Sequence, residues 1–315
     1  MVTAPELAWD PTEDTMHSNV PASPPPAGVQ RSYPSGSAVL TRTTLLTLGV
    51  VCLGLVVYWV GIGALEHSVA QSQLYSDFRK ALAAGTVPTG QVDSKGHLIT
   101  AGAPVALLKI PSIGINEVVV EGTSSETLTR APGHLRSTPL PGQPGVSVIV
   151  GRQAAFGGPF RSIRSLRKGS VINVTVGFGS NTERFKVIDL RHPGSPDPPA
   201  LQEGQSRLIL VTGSGTPLVP GGLLYVDADL TTPVQPASSL VTRTVPNAER
   251  PGKGDTSTIW ALVFWLEALL VAALAATWLW FTWGRLQTWM VFFPVVLLLG
   301  YFVSDQLTRM LPNVL

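Results

Sequence analysis

Residues 107–123 read LLKIPSIGINEVVVEGT, two short runs of apolar and β-branched residues separated by Pro111 and Gly114. Comparable runs recur between Gly- and Pro-containing turns as far as residue 230, and one or two helical turns are expected at Pro159–Leu166. This pattern is typical of a small all-β barrel or sandwich. The predicted strands are Val105–Ile110, Ile115–Glu121, Gly145–Gly151, Ser170–Val176, Glu183–Leu190, Arg207–Thr212 and Leu223–Leu230.

Outside this region, three apolar runs are long enough to cross a membrane. Thr43–Leu65 carries no charge and spans about 35 Å as a helix, against a bilayer core of about 30 Å. Thr258–Trp283 and Trp289–Val303 predict a helical hairpin with a turn at Gly284–Gln287. Charged residues make up only 13% of the chain, against roughly 25% in soluble proteins. The sequence therefore predicts a multi-pass membrane protein.

The domain organisation follows from these runs and from composition. The Pro-rich first residues and a later Pro- and Ser-containing stretch lack the apolar residues needed for a core. The predicted segments are a disordered cytoplasmic tail at 1–42, transmembrane helix 1 at 43–65, a stalk helix and linker at 66–103, a β domain at 104–230, a linker at 231–257, transmembrane helix 2 at 258–283, transmembrane helix 3 at 288–304 and a C-terminal tail at 305–315.

Basic residues beside the apolar runs predict the orientation in the plasma membrane. Arg42 and Arg285 both face the cytoplasm if the N-terminus is inside, which places the β domain outside. Arg243, Arg250 and Lys253 lie on the outer side and oppose this assignment, although a large domain can be translocated despite its charge.

Composition excludes several classes of function. A net charge of +2 without a Lys/Arg-rich run argues against nucleic-acid binding. The single cysteine, Cys52, lies in the first apolar run as a small packing residue, and it excludes a disulfide framework, a CxxC redox centre and a thiolate zinc cluster. We predict no metal and no cofactor, since ligand spacing is missing among His67, His97, His134 and His192.

Four segments of the β domain carry family-like motifs: LLKIPSIGINEVVVEGT (107–123), RAPGHLRSTPLPGQPGVSVIVG (130–151), FGGPFRSIRSLRKGSVINV (156–174) and LILVTG (208–213). Together they resemble the sortase family, and the actinobacterial class E-like type most of all. The resemblance covers most of residues 107–230 and implies a closed β-barrel of about eight strands with one or two short helices. Sortases are membrane-anchored extracytoplasmic transpeptidases that act on LPXTG-like sorting signals.

The resemblance also implies three catalytic positions, a cysteine nucleophile, a histidine and an arginine. The family's AGHR-like segment matches residues 150–153 and puts Arg152 at the histidine position, and its LVTC-like segment puts Gly213 at the cysteine position. The arginine position falls on Gly222 or Leu223. Glycine has no nucleophilic atom, and an arginine with a pKa above about 12 does not shuttle protons near neutral pH. We therefore expect a pseudoenzyme that binds or scaffolds components of the cell envelope.

A rival hypothesis is a transpeptidase or hydrolase with a substituted nucleophile. Ser214 or Thr212 would replace the cysteine, with His134 as base and Asp189 or Asp227 as its orienting carboxylate. Nothing in the sequence shows that these residues converge.

Two charged features are further candidates for binding. Arg152 could hold a carboxylate or phosphate, or pair with a local acid. The arginines of the expected helical turn, together with Lys168, could bind an anionic envelope polymer, or form a solvated face. These arginines are Arg161, Arg164 and Arg167.

An acidic residue lies inside the second membrane helix. An ionised Glu267 costs roughly 2.5 to 3.5 kcal/mol there, so it requires protonation or a partner such as Tyr58, Thr47 or a helix of another protein. The small residues Ala268, Ala272 and Ala276 make a face for close helix contact. Expected partners are therefore the membrane and an envelope peptide or a membrane protein. In a third hypothesis the chain is a subunit of a membrane complex in which the barrel is incidental.

Overall fold

The computed structural model describes residues 53–92, 96–177, 182–216, 219–238 and 244–315. The expected tail at 1–42, the first part of the first membrane helix, Thr47 and Cys52 lie outside these residues.

The described β domain is a closed barrel, which confirms the predicted fold class. Its strands follow one another around the barrel in the order β1-β2-β3-β4-β7-β8-β6-β5. Neighbouring strands are antiparallel, except that β2 pairs with β3 and β4 with β7 in parallel. The strands are β1 Pro104–Ile110, β2 Ile115–Glu121, β3 Gly133–His134, β4 Gly145–Val150, β5 Val171–Thr175, β6 Thr182–Arg191, β7 Ser206–Thr216 and β8 Val219–Leu230.

Alternate side chains of these strands fill the barrel interior. The expected helical turn is a 3₁₀ turn at Ile163–Ser165, and its three apolar residues, Phe160, Ile163 and Leu166, are buried in the same core. Between β1 and β2, Gly114 adopts φ 72°, a left-handed conformation that glycine takes without steric cost. A four-residue helix, α2 (Thr127–Arg130), lies between β2 and β3.

One long helix leads from the membrane segment to the barrel. It is helical from residue 53, passes through a π-helical turn at Tyr58–Ile62, and continues as α1 (Gly63–Ala83). The expected membrane helix and stalk are therefore continuous. Leu74 and Phe78 of α1 are buried against apolar residues of β1 and β2. The Gln71 side chain accepts a hydrogen bond from the Val118 backbone N–H (2.8 Å), which fixes the helix to the barrel.

Two antiparallel helices form the hairpin, α3 (Ile259–Thr282) and α4 (Arg285–Met310). Gly284, with φ 107°, reverses the chain, so Arg285–Gln287 are helical and not part of the expected turn. The last helix also extends past the expected residue 304, where the Thr308 hydroxyl donates to the Ser304 carbonyl (2.7 Å) within the helix. Among the described residues, three helices are long and apolar enough to cross a membrane: Leu53–Ala83, Ile259–Ala276 and Leu286–Met310.

Candidate functional site

The ends of β4 and β7 bring two expected positions together. The strands run in parallel, and beyond β4 the Gly151 N–H donates to the Val211 carbonyl (2.9 Å). The Thr212 hydroxyl donates to the Gly151 carbonyl (2.8 Å) in return. Arg152, next to Gly151, and Gly213, next to Thr212, therefore lie at the same end of the barrel.

The third expected position lies on the neighbouring strand. In the antiparallel pair of β7 and β8, Gly213 is opposite Leu223 and Ser214 is opposite Gly222. Arg152, Gly213 and Gly222 thus belong to three adjacent strands or strand ends. A Cβ atom added at Gly222 would lie 3.3 Å from the Ser214 oxygen, so these two positions face each other closely across the strand pair.

The Arg152 side chain is fully buried and bonded within the protein. Its Nε donates to the Leu128 carbonyl (3.2 Å), and its Nη2 donates to the carbonyl (2.9 Å) and hydroxyl (3.0 Å) of Ser125. The guanidinium lies 5.1 Å from the centre of the Phe156 ring, in cation–π geometry. Its Nη1 has no acceptor among the described residues. Burial away from water lowers the pKa of Arg152 to about 10.

Through these contacts, Arg152 connects the end of β4 to α2 and to the segment that leads into it. The hydrogen-bond acceptors are two carbonyls and a hydroxyl rather than a local carboxylate. Ser125 and Leu128 were not singled out from the sequence, because they are 27 and 24 residues away from Arg152.

Residues 311–315, which we call the strap, cover this end of the barrel. Backbone N–H groups of Gln153 and Ala155 donate to the carbonyls of Val314 (3.0 Å) and Leu315 (3.3 Å). The Val314 side chain is 1% exposed and clusters with the buried apolar residues Leu128, Val150 and Val211. The expected C-terminal tail thus contains a segment that packs directly beside Arg152 and Gly213.

His134 is part of a buried pair. Its Nδ1 lies 2.9 Å from the Glu121 carboxylate, and its Nε2 lies 3.0 Å from the Pro139 carbonyl and 3.1 Å from the Thr138 hydroxyl. Both ring nitrogens are therefore engaged away from Ser214. A charged residue at the end of the apolar run VVVE was the only sequence signal for Glu121.

The other substitute groups are also separated. The two candidate carboxylates bind cations, Asp227 with Arg191 (2.6 Å) and Asp189 with Lys168 (3.3 Å). Ser214 is half-buried, and its hydroxyl faces Gly222 of β8. The structure brings Ser214 and Thr212 close to Gly213 along β7, but no described contact joins either residue to His134 or to these carboxylates.

The basic residues near the 3₁₀ turn form an exposed surface. Arg161, Arg164, Arg167 and Lys168 are all exposed, and Lys168 is paired with Asp189. Within the described ranges, no group of three His, Cys, Asp or Glu side chains could hold a metal ion.

Glu267 lies on the outer face of α3 and is exposed. Tyr58, proposed as its partner, instead contacts the rings of Phe156 and Tyr301 edge-on, at 5.9 and 5.5 Å between centroids. On another face of α3, Ala272 is buried, as expected for close helix contact. Glu267 therefore has no partner in the described part of the chain.

Residues 108–215 match the family model of the sortase domain. This region is a sortase-family domain. The match spans β1 to β7 and includes Arg152 and Gly213, whereas the membrane helices lie outside it.

Several solved sortases are similar to this chain. A Clostridium perfringens sortase D5 transpeptidase is 21% identical, with 52% of this chain and 99% of that chain covered and a TM-score of 0.42. Sortase C-1 from Actinomyces oris is 29% identical, with coverages of 41% and 75% and a TM-score of 0.35. Sortase E from Streptomyces avermitilis is 28% identical, with coverages of 48% and 100% and a TM-score of 0.36. The comparison with curated proteins gave no match.

Proposed function

We propose that the chain is a catalytically inactive sortase-like membrane protein that binds or scaffolds components of a bacterial cell envelope. The observation that carries this proposal is Gly213, which occupies the cysteine position of the resemblance beside the end of β4. A residue without a side chain cannot attack a peptide carbonyl.

The residue at the histidine position supports the same proposal. Proton transfer to a leaving amine requires a group that titrates near neutral pH and reaches the substrate. Arg152 is fully buried and bonded to Ser125 and Leu128, and this burial lowers its pKa only to about 10, well above neutral pH. The only thiol of the chain, Cys52, lies in the apolar run of the first membrane helix.

We further propose that the barrel is extracytoplasmic in the plasma membrane. The basic residues Arg42 and Arg285 flank the apolar runs on the side that would face the cytoplasm. An impermeant lysine-labelling reagent added to intact cells should then modify Lys168, which is exposed on the barrel.

The rival reaction would use Ser214, because this residue is only half-buried, whereas Thr212 is buried and its hydroxyl donates to the Gly151 carbonyl. Serine becomes a nucleophile only with a base in hydrogen-bond reach. His134, the expected base, is instead paired with Glu121.

The test uses the full chain in detergent with LPXTG-like sorting-signal peptides. Mass spectrometry should find neither peptide cleavage nor an acyl adduct, at levels equal to those of Ser214→Ala. A sortase with the cysteine, histidine and arginine present serves as the positive control for the peptides. Turnover by the chain that disappears in Ser214→Ala would overturn the proposal of inactivity.

A further inference from the structure

The surface beneath the strap has the features of a peptide site. It presents two backbone donors, the N–H groups of Gln153 and Ala155, beside apolar side chains of the barrel end. We call this surface the groove; its apolar side chains are Leu128, Val150 and Val211. In the structure the strap satisfies both donors with its carbonyls and fills the apolar part with Val314.

On the side away from the groove, the strap is held mainly by the side chain of Asn313. Asn313 donates to the carbonyls of Thr123 (2.8 Å) and Arg250 (3.2 Å), and its side-chain oxygen accepts from the Gly252 N–H (2.8 Å). The Asn313 N–H donates to the Lys253 carbonyl (2.9 Å). Three of these four partners belong to residues 250–253, which precede α3, and only Thr123 belongs to the barrel domain.

Both covering segments are therefore attached to the hairpin. The strap directly follows α4, while residues 250–253 lie just before α3. The Asp255 N–H donates to the Arg309 carbonyl (2.8 Å), which joins the two segments at the end of α4. A displacement of the hairpin relative to the barrel would lift both segments together.

A groove without the strap would be unfavourable in water. The apolar side chains would be exposed to water, and the two N–H groups would exchange the carbonyls of the strap for water. Another peptide that offers carbonyl acceptors and an aliphatic side chain would restore the same contacts. The strap and such a peptide therefore compete for one surface.

We propose that the groove is a binding site for a short peptide with an aliphatic residue at the Val314 position, and that the strap occupies it in cis until it is displaced. This inference rests on the proposed function, an inactive binding protein, and names the ligand class and regulation of its site. No covalent step is involved, because binding uses backbone hydrogen bonds and apolar contact.

The test measures peptide binding by the full chain in detergent. The probe is a fluorescent, end-capped peptide with the strap's own sequence, Leu-Pro-Asn-Val-Leu; since the strap begins Leu-Pro, as LPXTG-like signals do, such a signal is the second probe. Val314→Asp puts a carboxylate into the apolar cluster and should release the strap. The matched control is Val234→Asp, at an exposed valine.

The expected result is an apparent Kd at least about tenfold lower for Val314→Asp than for the unaltered chain, because a larger fraction of molecules has an open groove. Val234→Asp should bind like the unaltered chain. Asn313→Ala, which removes the side-chain hydrogen bonds without adding charge, should also lower the Kd, and it provides a second opening variant if Val314→Asp does not fold.

A crosslink provides the reverse test. In a Cys52→Ala background, Val314→Cys and Val211→Cys place two thiols in the same buried cluster, and a disulfide between them, verified by intact mass, would hold the strap in the groove. Oxidation should abolish peptide binding, and a reductant should restore it. Equal binding by the oxidised and reduced protein, with no gain in Asn313→Ala, would overturn the proposal.

Mass spectrometry of the same samples separates the two proposals. Cleavage or an acyl adduct would overturn inactivity but leave strap displacement standing if the opening variants bind more tightly. Unchanged binding without chemistry would overturn strap displacement alone.

Discussion

The barrel and the hairpin place their apolar side chains in opposite environments. In the barrel, Phe160 and Leu208 are fully buried among other side chains. In the hairpin, Trp260 is 80% exposed and Leu270 is 61% exposed. The barrel therefore builds its own core, whereas the hairpin has the exposed apolar surface expected of helices that cross a membrane.

The charged residues of the two regions differ in the same way. Arg152 of the barrel end is buried, and carbonyl and hydroxyl oxygens of the protein satisfy it. Glu267 of the hairpin faces outward without a described partner. At the barrel end, Arg152 is bonded within the protein. In the hairpin, Glu267 is available to the membrane or to another molecule.

The largest expected effect is the loss of a core aromatic ring. Phe160→Ala should lower the free energy of unfolding of the barrel by about 3 to 5 kcal/mol, since a large buried side chain is replaced by a cavity. Phe264→Ala, at an exposed position of α3, is the matched control and should leave the barrel unchanged. Hydrogen exchange of the β7 and β8 amides in the full chain measures both. Equal losses would contradict the division between a protein core and a lipid-covered surface.

A smaller effect is expected in the membrane. Glu267→Leu should favour insertion of α3 by about 2.5 to 3.5 kcal/mol, because an ionised carboxylate is unfavourable at the centre of a membrane helix. A glycosylation-based insertion assay measures the change. Thr282→Leu, at the end of the same helix, should shift insertion far less. Equal shifts would mean that Glu267 does not lie at membrane depth.

The smallest effect concerns Arg152. Arg152→Met should lower the free energy of unfolding of the barrel by about 1 to 3 kcal/mol near pH 7, because the carbonyls of Ser125 and Leu128 lose their donor. Arg161→Met, at an exposed arginine, should change it by less than about 0.5 kcal/mol. The free energies of unfolding of the two variants are measured by denaturant titration, with hydrogen exchange of the barrel amides as the readout. An unchanged free energy of unfolding in Arg152→Met would show that these hydrogen bonds make no net contribution to stability.

The pH dependence of that difference has a defined sign. Burial lowers the pKa of Arg152 to about 10 in the folded chain, so above this pH the unfolded chain binds more protons than the folded chain. The stability of the unaltered barrel should therefore rise relative to Arg152→Met as the pH passes through about 10. A difference that shrinks over the same interval would contradict the burial of the guanidinium.

Strand patterns made the barrel predictable, and their limits explain what was missed. The run LKI–NEVVVE carries enough β-branched residues to identify β1 and β2, and both strands agree with the expected bounds to within one residue. The strand β3, Gly133–His134, is too short to show any periodicity. The strand β8 begins at Val219 instead of Leu223, because Pro220 and two glycines disfavour a strand in isolation but are paired here with β7.

Long-range contacts were the part of the candidate site that the sequence could not provide. Alignment of short motifs assigned Arg152 and Gly213 to the histidine and cysteine positions of the resemblance, but it did not show whether they lie together. The strap could not be predicted, since Val314 meets Val150 and Val211 only through the folding of the hairpin back onto the barrel. The pair of His134 with Glu121 likewise joins residues that no local pattern connects.

The most direct test of the central claim is the intact mass of the full chain after incubation with an LPXTG-like peptide, compared between the unaltered chain and Val314→Asp. We predict that neither protein gains an acyl adduct and that the peptide stays whole in both, because opening the groove exposes no nucleophile at Gly213. An adduct or cleavage that appears with Val314→Asp and disappears when Ser214→Ala is added would contradict the account.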